Sequence, residues 1–388
     1  MQKTPTMQPV MPEAAQPGAD PPTGRRVAIF VSFSGQGGVE RMIGNLAGGM
    51  AAQGFAVDLV LAKAGGAHLQ QPPPGVRLVK LRAGHTFTSL FALARYLRTQ
   101  RPAALLAAKD RAIKTAVLAR WLSGTRPRLV GRLGTTVSAA LADKGRARRW
   151  LWYQGMRRFY RHVDQIIAVS QGVADDVMAI TGLPADRVMV VRNPVVAPTL
   201  SELAHQPVDH PWFGDGGPPV LLGAGRLTAQ KDFPALLDAF ARVRAQRPCR
   251  LVILGEGRLR SELQRQAATL GVAEDVSLPG FAPNPYAYMA RAAVFVLSSA
   301  WEGSPNVLTE AMAVGTPVVA TDCPSGPREI LQGGRYGPLV PVGDAPALAQ
   351  AILEVLDAPL DRATLRRAVA EYSVERSAAH YLQALGLA

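Results

Sequence analysis

The sequence contains little cysteine and no long apolar run. Its two cysteines, Cys249 and Cys323, stand far apart in a chain of 388 residues and match neither a disulfide framework nor a metal-site spacing. We therefore expect two buried, reduced thiols in a cytosolic protein. No run of about 18 apolar residues occurs, so the sequence predicts no membrane-spanning helix. These two shortages exclude a disulfide-rich secreted scaffold and an integral membrane protein.

Acidic residues are also scarce. Only 29 Asp and Glu residues oppose 43 Lys and Arg residues, which gives a net charge of +14 and indicates an anionic partner. Zinc-finger, RRM and homeodomain patterns are absent, so we expect no nucleic-acid partner. An anionic membrane surface is the other candidate, and one segment of the chain favours it.

That segment is Lys144–His162, which reads K-G-R-A-R-R-W-L-W-Y-Q-G-M-R-R-F-Y-R-H and contains no acidic residue. Its apolar residues fall at helical spacing on one side: Trp152, Met156, Phe159 and Tyr160, with Trp150 and Tyr153 close by. Basic residues that frame interfacial aromatic rings are typical of a helix lying in the plane of an anionic membrane. The alternative is a helix that packs this side on the core and solvates its basic face.

Alternating apolar and helical segments predict an α/β fold. Arg26–Phe33 is an apolar run that leads into S-G-Q-G-G and then a helical pattern over Val39–Ala52, which is the strand, glycine loop and helix of a doubly wound sheet. Further apolar runs alternate with helical patterns up to residue 193. We expect a Rossmann-like domain over 26–193, with a disordered tail over 1–25 that lacks the apolar centre of a secretory signal.

A second series of the same kind follows a polar, Pro/Gly-rich linker over 194–219. Its apolar runs, beginning at Val220, again alternate with helical patterns and predict a second Rossmann-like domain over 220–372. A last helix is expected over 373–388. The sequence therefore predicts two parallel sheets, each covered by helices on both faces.

The segment Trp301–Glu310, W-E-G-S-P-N-V-L-T-E, predicts a ligand site at a helix start. Ser304 suits the N-cap and Pro305 the first helical position, so Glu302 precedes the helix and Glu310 lies inside it. Unpaired N–H groups at the positive end of a helix bind anions. The groups expected there belong to Ser304, Asn306, Val307 and Leu308. Two carboxylates that flank an anion site suit a nucleotide-diphosphate sugar.

This segment resembles the E-x7-E signature of the retaining GT-B glycosyltransferases of family 4 type, also called group 1. Four further blocks resemble the same family: G-A-G-R-L-T-A-Q-K-D-F from Gly223, L-V-I-L-G-E-G from Leu251, G-T-P-V-V-A-T-D from Gly315, and G-P-R-E-I-L with the following G-P-L-V-P-V-G-D. The N-terminal half resembles it through S-G-Q-G-G-V-E-R (Ser34–Arg41).

The resemblance implies a GT-B fold, in which the two domains face each other across a cleft and the last helix crosses back to the first domain. It implies transfer of a hexose, with retention, from a nucleotide-diphosphate sugar, with UDP the favoured nucleotide. A glycan or lipid-linked saccharide in bacterial surface polysaccharide or lipopolysaccharide synthesis would be the acceptor. No metal or other cofactor is expected, and the protein would lie on the inner face of the cytoplasmic membrane.

Roles for single residues also follow from the resemblance. Arg226 and Lys231 would contact the diphosphate, Glu302 the donor sugar and Glu310 the ribose hydroxyls. Without a bound metal, cations and backbone dipoles must stabilise the charge that builds on the departing phosphate. The remaining expected donor contacts are Gly37 and Gly38 in the first glycine loop, Gly255 and Phe281 beside the nucleoside, and the helix start at Ser304, Asn306, Val307 and Leu308.

The acceptor side is less defined by the sequence. Asp110, after the fourth apolar run, is the best acceptor-side candidate, although a helix N-cap is an equal interpretation. No histidine follows the fifth run, where Arg132 and Thr135 stand instead. Retention does not require a strong base, because the departing phosphate can take the acceptor proton.

Two other functions stay open from the sequence. One is a GT-B enzyme of different chemistry, such as a sugar-nucleotide epimerase or a phosphorylase. The other is a non-catalytic basic protein that binds membranes or nucleic acid. The combination of Arg226, Lys231, Glu302 and Glu310 in one set of motifs favours the transferase.

Overall fold

The computed structural model describes residues 26–32, 38–62, 72–81, 86–214 and 216–387. The expected N-terminal tail and Gly37 lie outside these residues. Within them the chain forms two parallel sheets, and helices cover both faces of each, as the sequence predicts.

The first sheet has its strands at β1 (Arg26–Val31), β2 (Ala56–Leu61), β3 (Val76–Lys80), β4 (Ala104–Ala108), β5 (Arg128–Leu133), β6 (Gln165–Ala168) and β7 (Val188–Val190). Its helices are α1 (Gly38–Ala52), α2 (Leu90–Gln100), α3 (Asp110–Ser123), α4 (Val137–Ala140), α5 (Arg146–Tyr160) and α6 (Gln171–Thr181). The strand order is β3-β2-β1-β4-β5-β6-β7. Ala28 and Phe30 of β1 face one core, and Val27 and Ile29 face the other. A parallel strand buried on both sides is apolar throughout for this reason.

The second sheet repeats the plan. Its elements in chain order are α7 (Leu200–His205), β8 (Val220–Ala224), α8 (Phe233–Arg244), β9 (Arg250–Leu254), α9 (Arg260–Thr269), β10 (Val276–Gly280), α10 (Pro285–Arg291), β11 (Val294–Leu297), α11 (Asn306–Ala313), β12 (Val318–Thr321), α12 (Pro327–Ile330), β13 (Leu339–Val340), α13 (Ala345–Asp357), α14 (Arg362–Ala368) and α15 (Val374–Ala384). The strand order is β10-β9-β8-β11-β12-β13.

The segment expected as a linker is partly folded. Leu200 and Ala204 of α7 are buried in the core of the second domain, where α7 packs against α10. Its polar, Pro/Gly-rich flanks concealed a short helix whose inward apolar positions are these two buried residues and the partly buried Leu203. The second domain therefore begins before its first strand.

The last helix, α15, packs against α1 of the first domain. Tyr381 and Leu382 are buried in the same core as β1 and β2. A Cβ atom at Gly49 of α1 would lie 2.7 Å from Val374, so this glycine permits the close approach of the two helices. The C-terminal segment is thus a structural part of the first domain.

The basic segment forms α5, but its apolar side is not the free surface that the membrane prediction required. Met156 and Tyr160 are fully buried, and Trp152, Tyr153 and Phe159 pack against the first domain's core. The alternative, a core-facing amphipathic helix, is therefore correct for these residues. Trp150 and Leu151 instead point outward and are 59% and 64% exposed. Among the helices of the described residues, none combines the length and apolar character that crossing a bilayer requires.

Candidate active site

The carboxyl ends of the strands in the two sheets meet across a cleft. Open α/β sheets bind ligands at this edge. Backbone contacts already join the two sides: Thr135 of the first domain forms an antiparallel bridge with Gly303, and the Thr136 hydroxyl donates to the Glu302 carbonyl at 2.7 Å. A Cβ atom at Gly303 would lie 2.4 Å from the Gly134 carbonyl oxygen, so only glycine permits this approach.

A second contact joins the domains at α12. The Glu329 carboxylate accepts from the N–H groups of Gln171 and Gly172, which start α6, at 3.0 and 3.2 Å. Arg192, next to the end of β7, donates to the same carboxylate at 2.6 Å. A carboxylate at a helix start is favourably placed against the helix dipole. The structure therefore represents a closed arrangement of the two domains.

Lys231 and Glu302 form an ion pair at 2.5 Å in the cleft. Ser299 donates its hydroxyl to the same Glu302 oxygen at 2.8 Å, and Glu302 is buried. Lys231 lies just before α8, and its aliphatic stem passes Gly225, where a Cβ atom would lie 2.8 Å from it. The structure brings these two predicted residues together, and Ser299 is a contact that the motifs did not indicate.

Arg226 follows β8 and is exposed to the cleft. Its guanidinium makes no hydrogen bond or ion pair with any residue that the structure describes, in contrast to Lys231. Gly255, after β9, approaches the backbone of Gly225 so closely that a Cβ atom would lie 2.0 Å from its oxygen. Phe281, after β10, is 38% exposed. Arg226 is therefore a cation available to an anionic ligand.

Helix α11 begins one residue later than expected. Pro305 is the N-cap with an extended ψ of 100°, and Ser304 is buried without capping the helix. The N–H of Leu308 donates to the Pro305 carbonyl at 3.1 Å, so the expectation that it is free is wrong. The N–H groups of Asn306 and Val307 have no acceptor among the described residues. The anion site of this helix therefore consists of two N–H groups.

The Asn306 side chain is fixed by the first domain. It accepts from Asn193 at 2.7 Å and donates to the Gly38 carbonyl at 3.4 Å. Asn193 in turn accepts from Arg132 at 2.7 Å, and Arg132 also donates to the Tyr381 hydroxyl at 2.8 Å. A continuous chain of hydrogen bonds thus connects α15 with the start of α11.

Glu310 is buried and has two neighbours that the sequence did not identify. The Tyr286 hydroxyl donates to its Oε1 at 3.3 Å, and Nη1 of Arg41, from the first domain, lies 3.6 Å from the same oxygen. The pKa of Glu310 is raised, because the effect of burial outweighs the lowering by Arg41, Tyr286 and Lys231. In the sequence, only the motif G-G-V-E-R, which ends at Arg41, indicates that Arg41 belongs to the site.

Asp110 is the first residue of α3 and is not its N-cap, which is Lys109. Its carboxylate accepts from Lys114 at 2.9 Å and from the Tyr160 hydroxyl at 3.0 Å. These contacts direct Asp110 toward α5. Its expected acceptor-side role stays a prediction, and these contacts do not favour it.

Lys109 and Arg132 are positive groups on the acceptor side of the cleft. Lys109 has a φ of 83°, in a region that favours glycine. Burial lowers its pKa, Glu40 raises it, and the charges of Arg132 and Arg226 lower it further. In the described part of the chain, no three His, Cys, Asp or Glu side chains gather in a way that could hold a metal ion.

Both cysteines are free and buried, as expected. Burial raises the pKa of the Cys249 thiol to about 11 and that of Cys323 to about 12. Thiols of this kind are unreactive at neutral pH.

Comparison with known proteins agrees with this geometry. The family description "Glycosyl transferases group 1" matches residues 218–358, and "Glycosyltransferase Family 4" matches residues 36–197. The two matches together take in most of both domains. The chain belongs to the group 1 glycosyltransferases of family 4 type, and its two facing parallel-sheet domains are a GT-B fold.

Several relatives can be named. The chain is 32% identical over 205 residues to the N-acetylgalactosamine-N,N'-diacetylbacillosaminyl-diphospho-undecaprenol 4-alpha-N-acetylgalactosaminyltransferase of Campylobacter jejuni, with 51% of this chain and 52% of that protein covered. It is 29% identical over 242 residues to the lipopolysaccharide 1,6-galactosyltransferase of Salmonella typhimurium, with 58% and 64% covered. The chain thus spans about half, and up to 64%, of the length of these relatives.

Among solved structures, HepE of Anabaena in complex with UDP and glucose is similar, with a TM-score of 0.73. The match covers 93% of this chain and 99% of that one at 20% sequence identity. At this identity the likeness shows the fold alone.

Proposed function

We propose that this protein is a retaining glycosyltransferase. It moves a hexose from a nucleotide-diphosphate sugar, with UDP as the nucleotide, to a glycan or lipid-linked saccharide in the synthesis of bacterial surface polysaccharide or lipopolysaccharide. The observation that carries the proposal is the Lys231–Glu302 ion pair at 2.5 Å in the cleft, together with exposed Arg226, which makes no hydrogen bond or ion pair with the described residues. Glu302 lies on the loop before α11, and the buried Glu310 lies within that helix.

This arrangement of charges supports a position for the diphosphate. Arg226 and Lys231 offer it two cations, and Asn306 and Val307 offer two backbone N–H groups at the positive end of α11. Glu310 then accepts hydrogen bonds from the ribose, and Glu302 accepts from the donor sugar. The ligand therefore extends from α10 past α11 to the contact with the first domain.

The transfer step needs no base from the protein. The acceptor hydroxyl oxygen bonds to the anomeric carbon on the face from which the diphosphate leaves, and the bond between that carbon and the phosphate oxygen breaks. The departing phosphate oxygen takes the hydroxyl proton, so the configuration is retained. Arg226 and Lys231 stabilise the charge that builds on this oxygen, which is the largest contribution in many such sites. The reaction requires no metal ion.

The relatives support the choice of acceptor and donor. The names of two of them specify a diphospho-undecaprenol-linked saccharide and a lipopolysaccharide as acceptors, and a protein of the same fold is seen with UDP and glucose. Applied to this chain, these names favour a UDP-sugar donor and a surface-glycan acceptor.

Nucleotide release tests the proposal. The full chain is incubated with a panel of UDP-, GDP-, ADP- and dTDP-sugars, with a lipid-linked oligosaccharide pool and with EDTA present. We expect release from a UDP-sugar, an α-linked product from an α-configured donor, and no loss of rate with EDTA. Epimerised free donor would indicate a sugar-nucleotide epimerase, and binding without turnover would indicate a non-catalytic protein.

We also propose that the protein binds the anionic inner face of the cytoplasmic membrane, through a surface that differs from the expected one. Phe87 and Phe91, at the start of α2, are 64% and 76% exposed, and Trp150 and Leu151 are exposed at the start of α5. Helix α3 packs against both α2 and α5, so the proposed surface includes two helices that flank the same third helix. Exposed Lys144, Arg146 and Arg148 supply positive charge beside them.

Liposome sedimentation tests this surface. Trp150→Ser with Leu151→Ser should reduce pelleting with phosphatidylglycerol vesicles while nucleotide release from the donor stays unchanged. Trp121→Ser with Leu122→Ser is the matched control, because these residues are also exposed but lie at the far end of α3. Equal pelleting of both double variants and the parent would contradict the proposed surface.

A further inference from the structure

Arg41 belongs to the first domain, yet its guanidinium is bound by the second. Nη1 donates to the Tyr286 hydroxyl at 2.9 Å and Nη2 to the Pro283 carbonyl at 3.5 Å. The guanidinium carbon lies 4.9 Å from the centre of the Tyr286 ring, which is a cation–π distance. The proposed transfer step assigns no role to Arg41.

The helix that carries Arg41 is fixed in place. Asn45, one turn further along α1, donates to the Pro194 carbonyl at 3.0 Å, where the chain leaves the first domain. Helix α15 packs against the same helix and joins it to the first core. Arg41 therefore reaches Glu310 only when the two domains adopt this closed arrangement.

Glu310 needs such a partner. A carboxylate transferred from water into a buried site without a charge partner takes up a proton. In the protonated form one of its oxygens carries a proton and becomes a donor, so the carboxyl accepts hydrogen bonds from the ribose hydroxyls less well. Both described contacts of Glu310, from Arg41 and Tyr286, use Oε1. Oε2 has no partner among the described residues and is free to accept from a nucleotide.

We infer that Arg41 is a positioning residue of the nucleotide site: its charge favours the ionised form of Glu310 and it orients the carboxylate toward the ribose, and it does so only in the closed protein. This inference rests on the proposed function and specifies how the first domain takes part in donor recognition. Ribose binding and domain closure then favour each other, because each requires the same ion pair.

The pH dependence of nucleotide binding separates this role from a structural one. The groups that face Glu310 are Arg41 on α1, Tyr286 on α10 and Lys231 before α8. Binding that requires the carboxylate is lost as the pH falls through the pKa of Glu310. Loss of Arg41 raises that pKa, because its charge favours the ionised form. The acid limb of binding must therefore move to higher pH.

The experiment is calorimetric titration of parent, Arg41→Met, Arg41→Lys and Arg242→Met with UDP, GDP and ADP between about pH 5 and 8. For Arg41→Met, we expect the pH at which acid weakens nucleotide binding to rise by about one unit. Near that pH the variant should bind the nucleotide up to about tenfold more weakly than the parent does. Arg41→Lys should restore most of the shift. Arg242, exposed in the last turn of α8, is the charge-matched control.

The nucleotide's terminal phosphate also titrates, but it does so equally with every variant, so the difference between variants isolates Glu310. A 2′,3′-dideoxy nucleotide lacks the ribose hydroxyls, so the pH dependence of its binding should be the same in the parent and in Arg41→Met. A constant loss at every pH, tighter binding or no change in Arg41→Met would overturn the inference and leave the proposed function standing. Failure of all three nucleotides to bind the parent would overturn the proposed function as well.

Discussion

At the scale of single residues, the two cations of the cleft differ in what holds them. Lys231 is paired with buried Glu302, whereas Arg226 has no partner among the described residues. Removal of a preorganised charge stabiliser typically costs a factor of about 10²–10³ in turnover. Substitution of either cation should therefore lower turnover to a similar extent, but only substitution of Lys231 should also lower the stability of the protein.

Arg226→Met should lower kcat by about 10²–10³ and leave the melting temperature unchanged. Lys231→Met should lower kcat as much and also destabilise the protein, because it leaves the Glu302 carboxylate buried and unpaired. Steady-state kinetics and thermal unfolding of both variants check this. Adding Glu302→Gln to Lys231→Met should recover stability without recovering turnover. Equal stability of the two single variants would contradict the pairing.

At the scale of elements, the contact between the Thr135 loop and the Glu302 loop depends on one glycine. A Cβ atom at Gly303 would collide with the Gly134 carbonyl at 2.4 Å, and neither backbone can yield without opening the domains. Opening would also remove the hydrogen bond from Thr136 to the Glu302 carbonyl. Closure and the position of Glu302 are therefore coupled.

Gly303→Ala should abolish most of the transfer activity while each domain stays folded. Small-angle scattering should show a larger radius of gyration than the parent has, because the clash favours an open arrangement. Gly44→Ala is the matched control: a Cβ atom there meets nothing within 4 Å, and alanine is about 1 kcal/mol better in a helix. Full activity of Gly303→Ala would show that closure is not needed.

The same elements show what the sequence could and could not predict. Within the described residues, β1 to β12 coincide with apolar runs of the sequence, and strands buried on both faces, such as β4 and β8, are apolar throughout. The two-residue strand Leu339–Val340 lacks such a run. The pair Arg41 and Glu310 escapes prediction because the contact joins residues far apart in the chain. The prediction that the aromatic side of α5 faces a membrane fails for a related reason. Periodicity identifies an apolar face, but it does not tell whether protein or lipid covers that face.

At the scale of the whole molecule, the chain crosses between the domains twice at one place. Val196, on the outward crossing, bridges Ser373 on the return, and Val195 and Val196 both donate to the Tyr372 carbonyl at 3.0 and 2.9 Å. The two segments that connect the domains are therefore hydrogen-bonded to each other where they cross.

Leu382→Ala tests how strongly the first domain depends on the returning helix. Leu382 is buried in the core that contains β1 and β2, so the truncation should cost about 2–5 kcal/mol. Hydrogen exchange should locate the loss of protection in the first domain, far away in sequence. Leu360→Ala, at a residue 41% exposed, should cost little. Loss of protection confined to the second domain would contradict the packing of α15.

The return of α15 also bears on how the protein is made. A ribosome releases the first domain's strands long before residues 374–384, which complete that domain's core. Domains usually fold in the order in which they emerge. Here the second domain emerges before α15, so the core of the first domain keeps apolar surface uncovered until residues 374–384 have been made. The folding of the first domain therefore depends on a segment that is synthesised after the second domain.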